Sequence, residues 1–306
     1  MIKFFGLTKR NLLVFFKNRQ SVIFSLMTSI IVFCLYLLFL KGTYTDALDS
    51  VVASNEFLKT MVTSNDIDAY ANLVMLVGVL GSAMITVPFY CLTTAVRDRE
   101  FKVDYDIAAT PIKRWQIVLS YFVSAALSSI LMTGIILTAG LLILKLTGGL
   151  CITAKSVAAA YGIVALGSVS GTALFMVVVL MFKNTSALGA FFGILSAAAG
   201  FVIGAYIPVS QFSESIRTFC NIFPASHITT LIRNALLNDV LAKMDTQIGG
   251  YDNGLFVGSI KELFSFKAFM FGKDLEIRHM LVYVCAWLAV SLILMIFVYT
   301  KTYKRR

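Results

Sequence analysis

Six long stretches of this sequence contain no Asp, Glu, Lys, Arg or His. They lie at residues 21–40, 71–96, 116–144, 157–182, 186–207 and 280–300. A run of about 20 apolar residues crosses the roughly 30 Å hydrocarbon core of a bilayer, and a charged side chain at the centre of that core is costly. The sequence therefore predicts an all-α integral membrane protein with six transmembrane helices.

The composition excludes several other classes of protein. Of the 306 residues, 58% are hydrophobic, 14% are charged and only 4 are Pro, which disfavours both a disordered chain and a water-soluble globule. Because no internal repeat of fixed length is present, residues 1–306 are predicted to form a single transmembrane domain. The 5 Cys are scattered without metal-ligand spacing, so we expect no metal site. A disulfide between Cys151 and Cys220 is left open.

Charge is unevenly divided between the two sides of the predicted membrane. With six spans, the two termini, residues 97–115 and the short turn at 183–185 share one side. That side holds more than half of the 26 Lys and Arg but only a quarter of the 16 acidic residues. An excess of Lys and Arg marks the cytoplasmic side, so both termini are predicted to be cytoplasmic. The net charge of +10 then indicates membrane orientation and lipid contact, not nucleic-acid binding.

Three segments outside the spans carry patterns of their own. Residues 1–19 repeat a basic residue every seven positions, which predicts an interfacial helix in the headgroup plane. Residues 97–109 read as one short amphipathic helix, with Phe101 and Tyr105 on one side and Asp98, Lys102 and Asp106 on another. A solvated loop needs no apolar stripe, so this pattern indicates that a protein partner docks there.

The segment at 208–279 is predicted to be extracellular and is not uniformly polar. Residues 212–223 and 226–237 each show helical apolar spacing and are separated by Pro224, which predicts two short helices that dip into the membrane. The aromatic stretch at 263–271 is too short to span. Sequence alone leaves open whether it gates an exit or packs against lipid.

No catalytic machinery is evident in the sequence. The sole Gly-Lys pair, Gly272-Lys273, is followed by Asp274, so no phosphate-binding loop is present and the chain is predicted not to hydrolyse nucleotide. His227 and His279 lack the partners of a metalloprotease or hydrolase motif. An ion-coupled carrier usually holds charged residues within its spans, and these spans hold none. No catalytic residue and no metal ligand is assigned.

Two regions resemble a known family. The sequence "RDRE" at 97–100 and "ATPIKRW" at 109–115 resemble the cytoplasmic loop of type-2 ATP-binding-cassette (ABC) transporter permeases. The region "YIPVSQF…IRTFCNIFPASHITTLIRNAL" is similar to a second family region, with Asn221, Pro224 and Arg233 at corresponding positions of re-entrant helices. The glycine usual after the Arg-Glu pair is replaced by Phe101 or Lys102.

The resemblance implies the membrane subunit of an exporter. Two permeases, identical or homologous, would associate with two cytoplasmic ABC ATPase subunits that bind ATP and Mg, so this chain itself needs no cofactor. The cytoplasmic coupling helix would comprise Asp98, Arg99, Glu100, Phe101, Lys102, Tyr105 and Asp106. The dimer interface or translocation path, in spans two and five, would comprise Thr86, Pro88, Gly189, Gly193, Ser196, Gly200 and Gly204. The expected location is a bacterial plasma membrane.

The sequence leaves three alternative functions open. The first is an ATP-driven exporter of an amphipathic or hydrophobic compound, such as a drug, an antimicrobial peptide or a lipid-linked molecule. The second is a non-transporting sensor or immunity protein against membrane-active peptides. The third, a membrane-embedded enzyme, would need an acid, base or metal cluster that the sequence does not show.

Overall fold

The computed structural model describes residues 2–53, 59, 61–146, 152–249 and 254–302, and most of them are helical. Six helical segments are long and apolar enough to cross a membrane: Arg19–Ala53, Ser64–Glu100, Arg114–Leu146, Ala154–Val179, Thr185–Val202 and Ile277–Lys301. The prediction of an all-α membrane protein with six transmembrane helices is confirmed. Cys151, one half of the disulfide left open above, lies outside the described residues.

The first two helices are separated by a break at Asn18, whose backbone is extended. Helix α1 (Ile2–Lys17) packs against the third span, and α2 (Arg19–Leu35) begins the first span. Between them, the side chain of Asn18 accepts a hydrogen bond from the Ser21 N–H and so caps α2. The first span continues through a π-helical turn at Tyr36–Leu40 into α3 (Lys41–Ala53). We call the membrane side with α1 the proximal face and the other side the distal face.

Helix α4 (Ser64–Cys91) is the centre of the molecule. Its N-terminus carries a capping box in which Thr63 and Asp66 exchange hydrogen bonds. Nearly all of its residues are buried, because it packs on helices in every direction. Its neighbours among the spans are α2, α7 (Arg114–Leu146), α8 (Ala154–Val179) and α9 (Thr185–Val202). Two short helices, α5 (Thr93–Glu100) and α6 (Val103–Ala109), follow α4 on the proximal face.

A pair of helices enters the bundle from the distal face and leaves again. Helix α10 (Glu214–Ile222) leads to α11 (Pro224–Ile248), with proline in the first helical turn as predicted. The start of α11 lies deep in the bundle, since Thr229 approaches Gly81 in the middle of α4. The prediction that both helices are short is wrong for α11, which continues for 25 residues until Gly249 adopts a left-handed conformation.

The distal face is closed by a small cap. It comprises α12 (Leu255–Leu263) and an antiparallel hairpin of β1 (Ala268–Met270) and β2 (Lys273–Leu275), followed by the last helix, α13 (Ile277–Thr302). The hairpin turn is Phe271-Gly272, and both residues have positive φ, as a tight two-residue turn requires. Phe264 and Phe266, before the hairpin, are buried against the core.

Candidate functional site

A buried carboxylate joins three elements at the proximal face. Asp98, in α5, is 5% exposed. It accepts hydrogen bonds from both terminal nitrogens of Arg10 in α1, with 2.9 Å from Nη2 to Oδ1, and from the Tyr121 hydroxyl in α7 at 2.6 Å. The hydrogen bond from Arg10 to Asp98 raises the pKa of Arg10, an effect that burial partly opposes. The Arg10–Asp98–Tyr121 network therefore fixes α5 to the interfacial helix and the third span.

The next two residues of α5 hold the turn between the fourth and fifth spans. Arg99 donates from Nη1 to the carbonyls of Leu180 and Phe182 at 2.9 and 3.0 Å. Glu100 accepts from the Thr185 N–H at 3.1 Å and from the Thr185 hydroxyl at 2.6 Å. A cation at the end of α8 and an anion at the start of α9 also match the helix dipoles. The Arg-Glu pair thus fixes α5 to two further spans.

The prediction of one continuous helix over residues 97–109 is wrong. Helix α5 ends at Glu100 and α6 begins at Val103, and Lys102 between them has a φ of 61°. This left-handed conformation favours glycine, although the residue at this position is lysine. Because Asp98, Arg99 and Glu100 are held by other helices, the chain must turn here to leave the bundle.

Four residues beyond Glu100 face outward. Phe101 and Tyr105 are 66% and 70% exposed, and Lys102 and Asp106 are exposed beside them. We call these four residues the proximal aromatic patch. The prediction that Asp98 shares an exposed face with Lys102 and Asp106 is wrong, because the break turns α6 away from α5. Of the seven residues predicted for partner contact, these four are available at the surface, whereas Asp98, Arg99 and Glu100 bind the protein's own helices.

The small residues of α9 divide into two groups. Gly189 and Gly193 are exposed with open space beside them, and Ser196 is half-buried on the same helix. Gly200 and Gly204 are buried against the chain's own residues instead, and their place at a dimer interface or translocation path stays a prediction. A Cβ at Gly200 would lie 2.2 Å from the Tyr206 ring, and Gly204 has a φ of 70° with Val209 close by.

The residues proposed in the second span lie inside the bundle. Thr86 is fully buried and donates to the Ser82 carbonyl at 3.0 Å. Pro88 is also buried and lies beside Gly171 of α8. In this structure, therefore, neither Thr86 nor Pro88 lies on the open face that α9 presents.

A groove of about 360 Å³ opens at the proximal end of that face. It is lined by Asn18, Gln20, Ser21, Phe89, Tyr90, Thr93, Arg97, Phe101, Thr185, Leu188, Gly189 and Phe192. Aromatic rings form its floor, since Phe192 stacks on Phe89 and meets the edge of Tyr90. An apolar floor with polar groups at the rim suits the apolar part of an amphipathic molecule.

The predicted re-entrant residues hold the distal cap in place. Asn221, at the end of α10, donates to the Phe269 carbonyl at 3.0 Å, and Arg233 of α11 donates to the Ser265 carbonyl at 2.8 Å. Arg233 is only 5% exposed. These two residues join the re-entrant helices to the cap, whereas Pro224 begins α11 inside the bundle.

Sequence reasoning did not find the partners of Asp98. Arg10 is one of the basic residues that recur at every seventh position of α1. This pattern predicts one face of a helix but no specific contact. Tyr121 carried no signal, since an aromatic residue near a membrane boundary is common for other reasons. The contact joins residues 88 positions apart, which no local pattern can reveal.

Comparison with known proteins agrees with the architecture. The family model described as "ABC-2 family transporter protein" matches residues 55–300. Among curated proteins, no sequence matches this chain. The matched residues include the five later spans, the proximal break and the re-entrant pair. This chain therefore belongs to the ABC-2 transporter family and is a multi-pass membrane permease subunit, a class that works with an ABC ATPase and is not itself the ATPase.

Proposed function

We propose that this permease exports an amphipathic or hydrophobic compound, powered by a separate cytoplasmic ABC ATPase that binds ATP and Mg. The observation that carries the proposal is the proximal aromatic patch. Phe101 and Tyr105 are largely exposed although they are large aromatic residues, and a charged residue flanks each of them. Exposed aromatic residues with a charged rim are typical of protein interfaces.

The contacts of α5 explain how force on this patch would reach the membrane. Asp98 is bonded to α1 and α7, and Arg99 and Glu100 are bonded to the turn between α8 and α9. A partner that displaces the patch would therefore move several spans together. This is the mechanical requirement for coupling ATP-driven closure of an ATPase to alternating access.

The translocation path would form where two permeases meet, with two ATPase subunits below them. The exposed small residues Gly189 and Gly193 support α9 as the contact helix, since small residues let helices approach closely. The neighbouring groove with its aromatic floor supports entry of cargo from the proximal face. The cargo class follows from the aromatic floor, which suits an apolar group, together with the polar rim, which suits the polar part of the same molecule.

The excess of Lys and Arg on the proximal face supports a cytoplasmic location for that face and for both termini. Export then runs from the proximal face to the distal face. A separate ATPase chain is the arrangement of a bacterial plasma-membrane transporter, which is the location we propose.

The test is affinity purification in mild detergent with quantitative mass spectrometry of the proteins recovered. The variant Phe101→Ala/Tyr105→Ala is expected to lose about tenfold or more of a partner bearing a phosphate-binding loop, because truncating interface aromatics typically costs about 2 kcal/mol. The matched control is Phe271→Ala, which removes an aromatic side chain that is 76% exposed on the distal face. The control is expected to retain the partner fully.

Equal recovery of the partner by the double variant would contradict the role of the patch. Repeated recovery of the wild-type chain alone, even after cross-linking, would contradict the exporter. That result would favour the non-transporting sensor or immunity protein instead.

A further inference from the structure

A cavity at the distal face is lined by charges of both signs. It measures about 1110 Å³ and lies between the cap, α10, α11 and the first turns of α13. Its charged residues are Arg217, Lys261, Lys267 and Arg278, and Glu262, Asp274 and Glu276. Its volume lies just above the roughly 300–1,000 Å³ that is typical of small-molecule sites. Neither the exporter proposal nor the family assignment uses this cavity.

The opposite charges of the cavity do not neutralise each other. Among the described residues, the ion pairs are Arg10–Asp98, Lys41–Asp68 and Lys243–Asp66, and none of them lies in the cavity. The seven charged side chains face one space and form no ion pair with one another, so they are available to a ligand.

Aromatic rings keep two of the cations in position. The guanidinium carbon of Arg217 lies 4.1 Å from the centre of the Phe269 ring, and the Lys261 ammonium lies 5.9 Å from the centre of the Phe266 ring. The Nε atom of Arg217 is buried and has no hydrogen-bond partner among the described residues. The rings thus position these two cations at the cavity wall with N–H donors left for an anionic group, and the carboxylates of the cavity stay free for a cationic group.

One edge of the cavity is apolar and adjoins the membrane. Ile277 and Leu281, on successive turns of α13, are 47% and 37% exposed and begin the last span. A ligand with a hydrocarbon part can therefore keep it in lipid while its polar part enters the cavity.

We infer that this cavity binds the headgroup of a zwitterionic lipid, with its phosphate on the Arg and Lys side chains, its ammonium on the carboxylates and its acyl part along Ile277 and Leu281. A purely anionic ligand would meet three carboxylates, and a purely cationic ligand would meet four basic residues. A phosphoethanolamine headgroup satisfies both sets. The inference is independent of the proposed export function.

The test is a binding titration with the purified full chain in uncharged detergent, without ATPase or nucleotide. The probes are dihexanoyl phosphatidylethanolamine, dihexanoyl phosphatidylglycerol, dodecylammonium and free phosphoethanolamine. Saturable binding is expected for the phosphatidylethanolamine, with about tenfold weaker binding of the other three because each lacks one set of contacts. Binding is also expected to weaken as salt rises.

Two exposed residues of opposite charge provide the variants. Arg278→Gln and Glu262→Gln are each expected to weaken phosphatidylethanolamine binding about fivefold. The control is Lys273→Gln on β2 of the cap hairpin. Lys273 does not line the cavity, so this variant is expected to bind as the wild type does. Gel filtration and thermal unfolding verify that each variant is folded.

Equal binding of phosphatidylglycerol would overturn the zwitterion assignment. Equal binding of free phosphoethanolamine would overturn the role of the apolar edge. Wild-type affinity in both variants, or no saturable binding at all, would overturn the site. None of these results depends on transport or on an ATPase, so this inference and the exporter proposal can each fail alone.

Discussion

At the scale of residues, Asp98 illustrates how a carboxylate is buried beside a membrane. An ionised carboxylate without partners is costly to bury, whereas one that accepts several charge-assisted or short hydrogen bonds is tolerated. Asp98 accepts two hydrogen bonds from Arg10 and one from Tyr121. Removing the carboxylate would therefore disturb the fold itself, whereas Lys102 and Asp106 can be changed without breaking an internal contact.

Lys102 carries backbone strain that a substitution can relieve. Its φ of 61° is unfavourable for a residue with a Cβ. Lys102→Gly is therefore expected to raise the free energy of unfolding by about 1 kcal/mol, after allowance for the greater chain entropy of glycine in the unfolded state. The measurement is reversible denaturant unfolding in detergent micelles.

Lys102→Ala is the matched control, because it removes the same charge and side chain but keeps the Cβ. Its stability is expected to stay within about 0.5 kcal/mol of the wild type, as for most exposed substitutions. If glycine stabilised the protein no more than alanine, the left-handed conformation of Lys102 would be contradicted.

At the scale of elements, α4 and α8 pack closely where α4 contains a proline. Pro88 has no N–H, so the carbonyl of Met84, four residues earlier, lacks its usual intrahelical donor. A Cβ at Gly171 of α8 would lie 2.7 Å from that Met84 oxygen and 3.2 Å from the Pro88 ring. The close approach of the two helices thus depends on glycine at position 171.

Gly171→Ala is expected to lower the free energy of unfolding by about 2 kcal/mol, because a backbone oxygen cannot move aside as a side-chain end can. The control is Gly162→Ala on the same helix, which has nothing within 4 Å of the new Cβ. This control is expected to be neutral or to stabilise by up to about 1 kcal/mol through helix propensity. Equal unfolding midpoints in the two variants would contradict the packing of α4 on α8.

The helices also show which features of the fold can be predicted from the sequence and which cannot. The six spans were predictable because each depends on a local property, the absence of charge over one membrane thickness. The start of α11 was predictable from Pro224, whereas its end at Gly249 was not, since helices of 12 and of 25 residues share the same apolar spacing. The break at Lys102 depends on contacts of Asp98 and Glu100 with distant helices, which have no local signature.

At the scale of the whole molecule, α9 and α11 join the two faces. Helix α9 begins at Thr185, which Glu100 holds, and leads into the re-entrant pair. Helix α11 carries Arg233, which holds the distal cap through the Ser265 carbonyl. The proximal aromatic patch and the distal cap are therefore connected through α9, the irregular segment at 203–213 and the re-entrant pair.

The orientation of the whole molecule can be tested by cysteine labelling. Asp106→Cys on α6 and Lys273→Cys on β2 place single exposed thiols on the proximal and distal faces, in a background where the 5 native Cys are replaced by Ala. A membrane-impermeant maleimide is expected to label Lys273→Cys in intact cells and Asp106→Cys only after permeabilisation, because we propose that the basic proximal face is cytoplasmic. The reverse pattern would contradict the orientation. It would also place the charged distal cavity inside the cell and the proximal aromatic patch beyond the reach of any ATPase.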